Sequence, residues 1–269
     1  EDFQEEGGNE AMDYDYKTPP VEDYLVKRTL WPELNKLYGH GYEIKAIAVN
    51  STGSLIASAC KSQTTDHACI ILWDPKKYNI IDRIHFHNYT AVALEFSKDD
   101  QYLVSVSRDR QIGLFKHDAE DTKHPYKLVW SDKSHSRIVW TVSFSHDDKF
   151  FITGARDKSI KVWKLDEKPV KICDKVFGTP VTAVAFSEYS YGEGKYLFVV
   201  GLESGDIHIC ELDTVANTIT QIESIPKYWK HALAVTKLKF RPNTGKDVLT
   251  FASCSEDHNV KLFNITLSK

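Results

Sequence analysis

Histidine, a hydroxyl residue and aspartate occur together in this sequence at a spacing that recurs. His135 is followed by Thr153 after 18 residues and by Asp157 after 22 residues. A serine or threonine, a histidine and an aspartate can perform acyl transfer, because the histidine takes the proton of the hydroxyl nucleophile. Nucleophilic catalysis is therefore the first chemistry to weigh.

The recurrence of this residue set argues against an active site. The same types return at matching places in several segments, whereas one catalytic centre needs them once. A repeated structural bond explains the pattern better, because buried polar groups persist where each has a hydrogen-bond partner. We therefore predict buried networks formed by His40, Ser58, Trp73, His87, Ser105, Asp109, His135, Thr153, Asp157, Trp163, His231, Ser253 and Asp257.

Other catalytic and ligand-binding patterns are absent from the sequence. His85 and His87 could lie on one strand face, but no cysteine or carboxylate stands at metal-ligand spacing around them. There is no phosphate-binding loop, no G-x-S-x-G and no H-E-x-x-H motif. The five cysteines show no C-x-x-C spacing, which favours free thiols. We expect no catalytic residue, no cofactor and no metal.

The elements that position these residues are internal repeats. Three segments align without gaps and end on an aromatic residue six positions after an Asp: Tyr102–Phe115, Phe150–Trp163 and Thr250–Phe263. Two weaker copies exist. One includes Ser58 and Trp73 but is stretched by Lys61–Asp66, and the other has Ser204 at the Asp position and Cys210 at the aromatic position. Five copies with a period near 45 residues, each of short alternating runs, predict an all-β propeller with five blades.

The motifs within the copies resemble WD40 repeats over about residues 34–267. The resemblance rests on Gly39-His40, on Phe-Ser pairs such as Phe144-Ser145, and on the IKVW of Ile160–Trp163. It implies that the Asp of a turn accepts from the His, that the His bonds the strand hydroxyl, and that the chain of bonds ends on a Trp ring nitrogen. Phe115 and Phe263 lack that N–H, so their networks should stop at the hydroxyl.

A closer resemblance is to the family of WD-repeat subunits of the Elongator complex. It rests on PPVEDYLVKRTLWPELNKLYGHGYEI at residues 19–44, with SACK, IILW and SRDR further along. The resemblance implies a non-catalytic scaffold with two seven-bladed propellers, of which this chain would be the C-terminal portion. It implies assembly with the large scaffold subunit and the catalytic radical-SAM/acetyltransferase subunit, in support of wobble-uridine modification of transfer RNA. It also implies a location in the cytoplasm and the nucleus, with at most an indirect or weak contact to tRNA.

An alternative interpretation is that the propeller directly recognises RNA or a modified peptide on its ring face. Under either reading the candidate partner-binding residues are Arg108, Arg137, Arg156, Tyr228, Trp229 and Trp31. The arginines fall at equivalent turns or near the start of a blade, where an ion pair with the Asp of a neighbouring blade is the alternative. Tryptophan is enriched at binding hot spots.

Charge divides the 269 residues into two regions. Residues 1–33 hold ten acids and three bases, and we expect a largely disordered acidic tail or inter-blade linker there. Residues 34–269 form the propeller portion, with repeats near 34–86, 87–134, 135–177, 178–230 and 231–269. Within it, Leu34–Tyr38 is predicted to be an outer strand. No apolar run is long enough to span a membrane, and the first residue, Glu1, suggests a fragment of a longer protein.

Overall fold

The strands of the protein form five antiparallel sheets that follow one another along the chain. The computed structural model describes residues 35–166, 168–189, 192–242 and 248–266. The predicted acidic segment at 1–33, including Trp31, lies outside these residues. The all-β fold with five blades is confirmed, and the described residues from Leu37 onwards belong to one compact unit.

Each sheet is one blade, and strands adjacent in sequence pair within it. Blade 1 consists of β1 (Ile44–Val49), β2 (Ile56–Cys60), β3 (Ile70–Asp74) and β4 (Asn79–Ile84). Blade 2 consists of β5 (Ala91–Phe96), β6 (Tyr102–Ser107), β7 (Ile112–His117) and β8 (Tyr126–Asp132). Blade 3 consists of β9 (Val139–Phe144), β10 (Phe150–Ala155), β11 (Ser159–Lys164) and β12 (Val170–Val176). Blade 4 consists of β13 (Val181–Phe186), β14 (Lys195–Leu202), β15 (Ile207–Asp213) and β16 (Thr218–Ser224). Blade 5 consists of β17 (Val235–Phe240), β18 (Val248–Ser255) and β19 (Val260–Thr266).

Burial decreases across a blade from its second strand to its fourth. All six residues of β10 are buried, because both faces of that strand pack against other blades. Nearly every residue of β16 is exposed, and its sequence, TITQIES, is mostly polar. The hydrophobic clusters lie mostly between neighbouring blades, so that Phe186 and Phe198 of blade 4 pack with Ile152 of blade 3. Apolar contact between blades, rather than within one sheet, therefore forms the core.

The turn from the second to the third strand has one geometry in four blades. Its fourth position adopts a positive φ at Arg110 (73°), Lys158 (69°), Gly205 (81°) and His258 (62°). We call the end of the blades that carries these turns the upper face, and it also carries the connections that lead into each first strand. The opposite end, with the turns from first to second strand, is the lower face.

Within the described residues blade 5 has three strands where the others have four, and none of the other described strands pairs with the outer edge of β19. The prediction that Leu34–Tyr38 is an outer strand is wrong for its described part, because residues 35–38 have no strand conformation. Leu37 packs instead against the cluster of Cys69, Ile71 and Trp73. Membership of a seven-bladed ring stays a prediction.

Among the described residues there is no helix long and apolar enough to cross a membrane. The only helical element of that part of the chain is the short 3-10 turn Thr65–His67, which lies between β2 and β3.

Candidate functional site

Blade 3 contains a continuous chain of side-chain hydrogen bonds. His135 precedes β9, and its Nδ1 lies 3.0 Å from Oδ2 of Asp157, while its Nε2 lies 2.9 Å from Oγ1 of Thr153. The indole N–H of Trp163 donates to the same Oγ1 at 3.1 Å. The Asp157 carboxylate also accepts the backbone N–H of Ser136. The network therefore links the segment before β9 to the second and third strands of the blade, β10 and β11.

Blades 2 and 5 have the same network without the indole. His87 joins Asp109 at 3.1 Å and Ser105 at 2.7 Å, and Phe115 occupies the aromatic position. In blade 5 His231 joins Asp257 at 3.0 Å and Ser253 at 2.7 Å. Because phenylalanine offers no N–H, both chains of bonds end at the serine hydroxyl.

Blade 1 lacks the aspartate. His40 Nε2 lies 2.8 Å from Oγ of Ser58, and the Trp73 indole donates to that oxygen at 2.6 Å. Nδ1 of His40 is buried and has no partner among the described residues. Burial, the larger cause, and the positive charge of Arg83 lower the pKa of His40 and so favour its neutral form.

Blade 4 has neither the histidine nor the aromatic residue. Ser204 takes the place of the turn aspartate and donates to Asp206 at 2.5 Å, and its Oγ lies 3.1 Å from Oγ1 of Thr179. Cys210 is fully buried at the aromatic position. A short polar contact at the upper face therefore replaces the buried network.

The His–Asp pairs consist of a carboxylate and an imidazole that are both withdrawn from water. Burial raises the pKa of Asp109, but the hydrogen bond and charge of His87 and two backbone N–H groups lower it to about 2 overall. Burial lowers the pKa of His135, against the opposing charge of Asp157. The hydrogen bonds link aspartate, histidine and hydroxyl in the same sequence as in a catalytic triad. However, Ser105, Thr153 and Ser253 are 0% exposed, so these oxygens are closed to any substrate.

The predicted arginines lie on the upper face and are exposed. Arg108 and Arg156 occupy equivalent turns of blades 2 and 3, where their backbone N–H groups bond Thr90 and Ile138 of the preceding connections. Arg137 lies at the start of blade 3. In the part of the chain that the structure describes, none of the three side chains forms an ion pair or a hydrogen bond. The alternative of an ion pair with the Asp of a neighbouring blade is therefore wrong for the described residues.

Tyr228 and Trp229 project from a connection between blades 4 and 5 that is held on both sides. Lys261 Nζ donates to the carbonyl oxygens of Trp229 and Lys230 at 3.2 and 2.8 Å. Lys230 Nζ in turn pairs with Asp206 at 3.0 Å. Tyr228 is 81% exposed and Trp229 is 61% exposed. A cavity of about 660 Å³ adjoins them along β19. These two rings are presented on a fixed loop, away from the arginines of blades 2 and 3.

Sequence reasoning missed two aspartates that join neighbouring blades at the lower face. Asp100 accepts the backbone N–H of Ser51 in blade 1 at 2.7 Å. Asp148 accepts those of Lys98 and Asp99 in blade 2, both at 2.9 Å. Both aspartates have a positive φ, near 60°. The sequence feature that could have predicted these contacts is the Asp-Asp pair that recurs at 99–100 and 147–148.

Comparison with known proteins agrees with this repeated geometry. The WD40 family (WD domain, G-beta repeat) matches residues 31–74, 79–116 and 126–164, which include the strands of blades 1 and 2 and the first three strands of blade 3. The chain contains WD40 repeats. Blades 4 and 5 lie outside the matched ranges, and blade 4 is the one without a histidine network.

The chain is also similar over most of its length to proteins named Elongator complex protein 2. It is 42% identical over 268 residues to the one from Drosophila melanogaster, which covers 94% of this chain and 33% of the relative. Identity is 37% to the Homo sapiens protein and 35% to the Mus musculus protein, each over 92% of this chain and 34% of the relative. The resemblance inferred from the sequence is confirmed. The chain spans about a third of the length of the curated relatives that it matches.

Proposed function

We propose that this chain is a non-catalytic scaffold of the Elongator complex that supports wobble-uridine modification of transfer RNA through protein–protein assembly. Its partners would be the large scaffold subunit and the catalytic radical-SAM/acetyltransferase subunit, in the cytoplasm and the nucleus. The proposal is supported by the similarity to Elongator complex protein 2 over 92–95% of the chain. It is also supported by the burial of every network hydroxyl, which leaves surface rather than chemistry as its contribution.

The observation that carries the proposed interface is the set of unpaired arginines on the upper face. Arg108, Arg137 and Arg156 are exposed on neighbouring blades, and no described carboxylate neutralises them. A guanidinium presents several N–H donors in a fixed plane, which suits carboxylate-bearing protein surfaces. The blades beneath are held by buried bonds, so that these side chains stand on a rigid base. Tyr228 and Trp229 remain proposed anchors away from these arginines, and Trp31, outside the described residues, remains a proposed anchor as well.

The direct test is the double variant Arg108→Glu with Arg156→Glu, because it reverses two charges without touching the core. We expect co-purification with the other Elongator subunits to weaken and tRNA modification to fall, while the melting temperature is unchanged. Lys76→Glu with Lys77→Glu makes the same charge change at the lower face and should leave both readouts intact. Full assembly and modification by the arginine variant would refute this interface, and turnover by the purified chain alone would refute a non-catalytic role.

The second candidate is direct recognition of RNA on the same face, favoured by the same unpaired arginines. Binding to phosphates would fall steeply as salt rises, because condensed counterions are released. A fluorescence titration of the isolated chain with tRNA at increasing salt therefore separates the two. A steep salt dependence that the double variant abolishes would favour RNA recognition over assembly.

A further inference from the structure

Blade 1 departs from the other blades at the upper face. The second and third strands of blade 2 are joined by residues 108–111, whereas β2 and β3 of blade 1 are joined by residues 61–69. This longer connection contains the 3-10 turn Thr65–His67 in place of the turn with an aspartate. It therefore adds backbone and side chains at the boundary with blade 2.

The longer connection is fixed to blade 2 by paired hydrogen bonds. The backbone N–H of Ser62 donates to Oγ1 of Thr90 at 2.8 Å, and this hydroxyl donates to the Ser62 carbonyl oxygen at 2.9 Å. The backbone N–H of Thr90 donates to the same carbonyl at 3.2 Å. Ser62 and Thr90 are both buried. These hydrogen bonds to blade 2 therefore fix the position of the connection.

A cavity of about 360 Å³ lies between this connection and the turn of blade 2. Most of its exposed lining surface is apolar, although the lining residues other than Tyr42 are polar or charged: Lys61, Ser62, Gln63, Thr64, Thr90 and Arg108. The two cations in this lining differ in one respect. Lys61 forms an ion pair with Glu43, whereas the Arg108 side chain has no partner among the described residues. The lining therefore carries one uncompensated positive charge.

We propose that this cavity binds a carboxylate side chain of an acidic peptide segment in a partner protein, with Arg108 as the cation that receives it. One free guanidinium matches a single negative charge and can bond both carboxylate oxygens. A phosphate dianion would leave negative charge unbalanced. A single tyrosine offers little surface for stacking several bases, which disfavours RNA. The inference rests on the proposed function, since Arg108 belongs to that interface, and it adds the chemistry of the group that is bound.

The test is fluorescence anisotropy of the whole 269-residue chain with a labelled peptide of four Gly-Glu repeats. Loss of a hydrogen-bonded charge pair weakens binding about tenfold or more, and we expect this for Arg108→Gln. Arg110→Gln removes the same charge from the same turn, outside the cavity lining, and should change affinity less than about twofold. A peptide of Gly-Gln repeats should not bind. Both variants alter exposed side chains, and their melting temperatures will verify the fold.

Three results would overturn the inference. The first is equal binding by Arg108→Gln and the wild type. The second is tighter, Arg108-dependent binding of a Gly-phosphoserine peptide, which would assign a phosphate. The third is equally Arg108-dependent binding of an eight-nucleotide oligouridine, which would assign RNA. Failure of the proposed function would look different, because complex assembly would survive Arg108→Glu with Arg156→Glu even if the peptide bound as expected.

Discussion

Blades 3 and 4 are neighbours with the same four-stranded topology, yet their upper ends are held in different ways. In blade 3 the side chain of His135 reaches inward to Asp157 and Thr153. In blade 4 the turn is held from outside, because the carbonyl of Gly205 accepts the backbone N–H of His231 at 3.1 Å. A Cβ at Gly205 would lie 2.1 Å from the carbonyl oxygen of His231.

The difference shows that the repeat preserves backbone geometry more strictly than chemistry. Lys158 and Gly205 occupy the same turn position with φ of 69° and 81°. Blade 3 stabilises that turn with a buried charge-assisted network, and the side chain of Lys158 extends into solvent. Blade 4 stabilises it by close approach of the next blade's backbone, which only glycine allows.

The largest effect should come from Gly205→Ala in blade 4. The new methyl group would collide with the His231 carbonyl in a conformation that already disfavours a side chain, so we expect a loss of about 3 kcal/mol in unfolding free energy. Lys158→Ala, at the same position of blade 3, should cost less than about 0.5 kcal/mol. Urea denaturation of both variants measures the contrast, and equal losses would contradict the explanation.

Asp157→Ala should have the next largest effect. It removes the acceptor of the backbone N–H of Ser136, and it leaves Nδ1 of the buried His135 only the longer contact to Oγ of Ser159 at 3.3 Å. This loss should cost about 2 kcal/mol. Ser204→Ala removes the residue in the same place in blade 4 and should cost about 0.5 kcal/mol, because its contacts lie near the surface. Similar denaturation midpoints for the two variants would argue against the difference between the blades.

Acid should weaken the blades that contain a network. The pKa of Asp109 is about 2 in the folded protein, below the value of about 3.9 expected when the chain is unfolded. Its contribution, up to about 2 kcal/mol, is therefore complete only above about pH 5, and it is lost as the pH falls through about 4 towards 2 and below. The stability gap between wild type and Asp109→Asn should close over that range in denaturant titrations. A constant gap would mean that Asp109 is not ionised in the fold.

The smallest of these effects should come from Trp163→Phe, which converts blade 3 into the form seen in blades 2 and 5. The loss of the bond from the indole N–H to Thr153 should cost about 1 kcal/mol. In a Thr153→Val background the same change should cost less, because the acceptor is gone. A double-mutant cycle with no coupling would show that the indole contributes only by packing.

Much of the fold followed from the sequence because the repeat spacing is read directly from its residues. The five copies predicted an all-β arrangement of five blades, since a His, a hydroxyl residue and an aromatic residue recur in four of them in register with the strands, and the fifth keeps the same spacing. The outer strand at Leu34–Tyr38 was wrong in its described part, because its place directly before Gly39-His40 in the repeat does not reveal that Leu37 packs against Trp73.

The candidate site was less accessible from the sequence. Spacing alone selected the residues that lie within hydrogen-bond distance in blades 2, 3 and 5, such as His87 and Ser105. It did not give the surroundings of Arg108, because the cavity there depends on how residues 61–69 dock on the next blade. Nor did it reveal Asp148, whose partners are backbone groups of another repeat.

The three-stranded blade also affects how the protein behaves at high concentration. The outer edge of β19 presents backbone donors and acceptors, and beside it Val260 is 68% exposed and Leu262 is 72% exposed. An edge of this kind invites a second copy to add its own edge and extend the sheet across a two-fold axis. Unless a strand from elsewhere covers β19, colloidal stability will be limited by this edge and not by the well-packed interior.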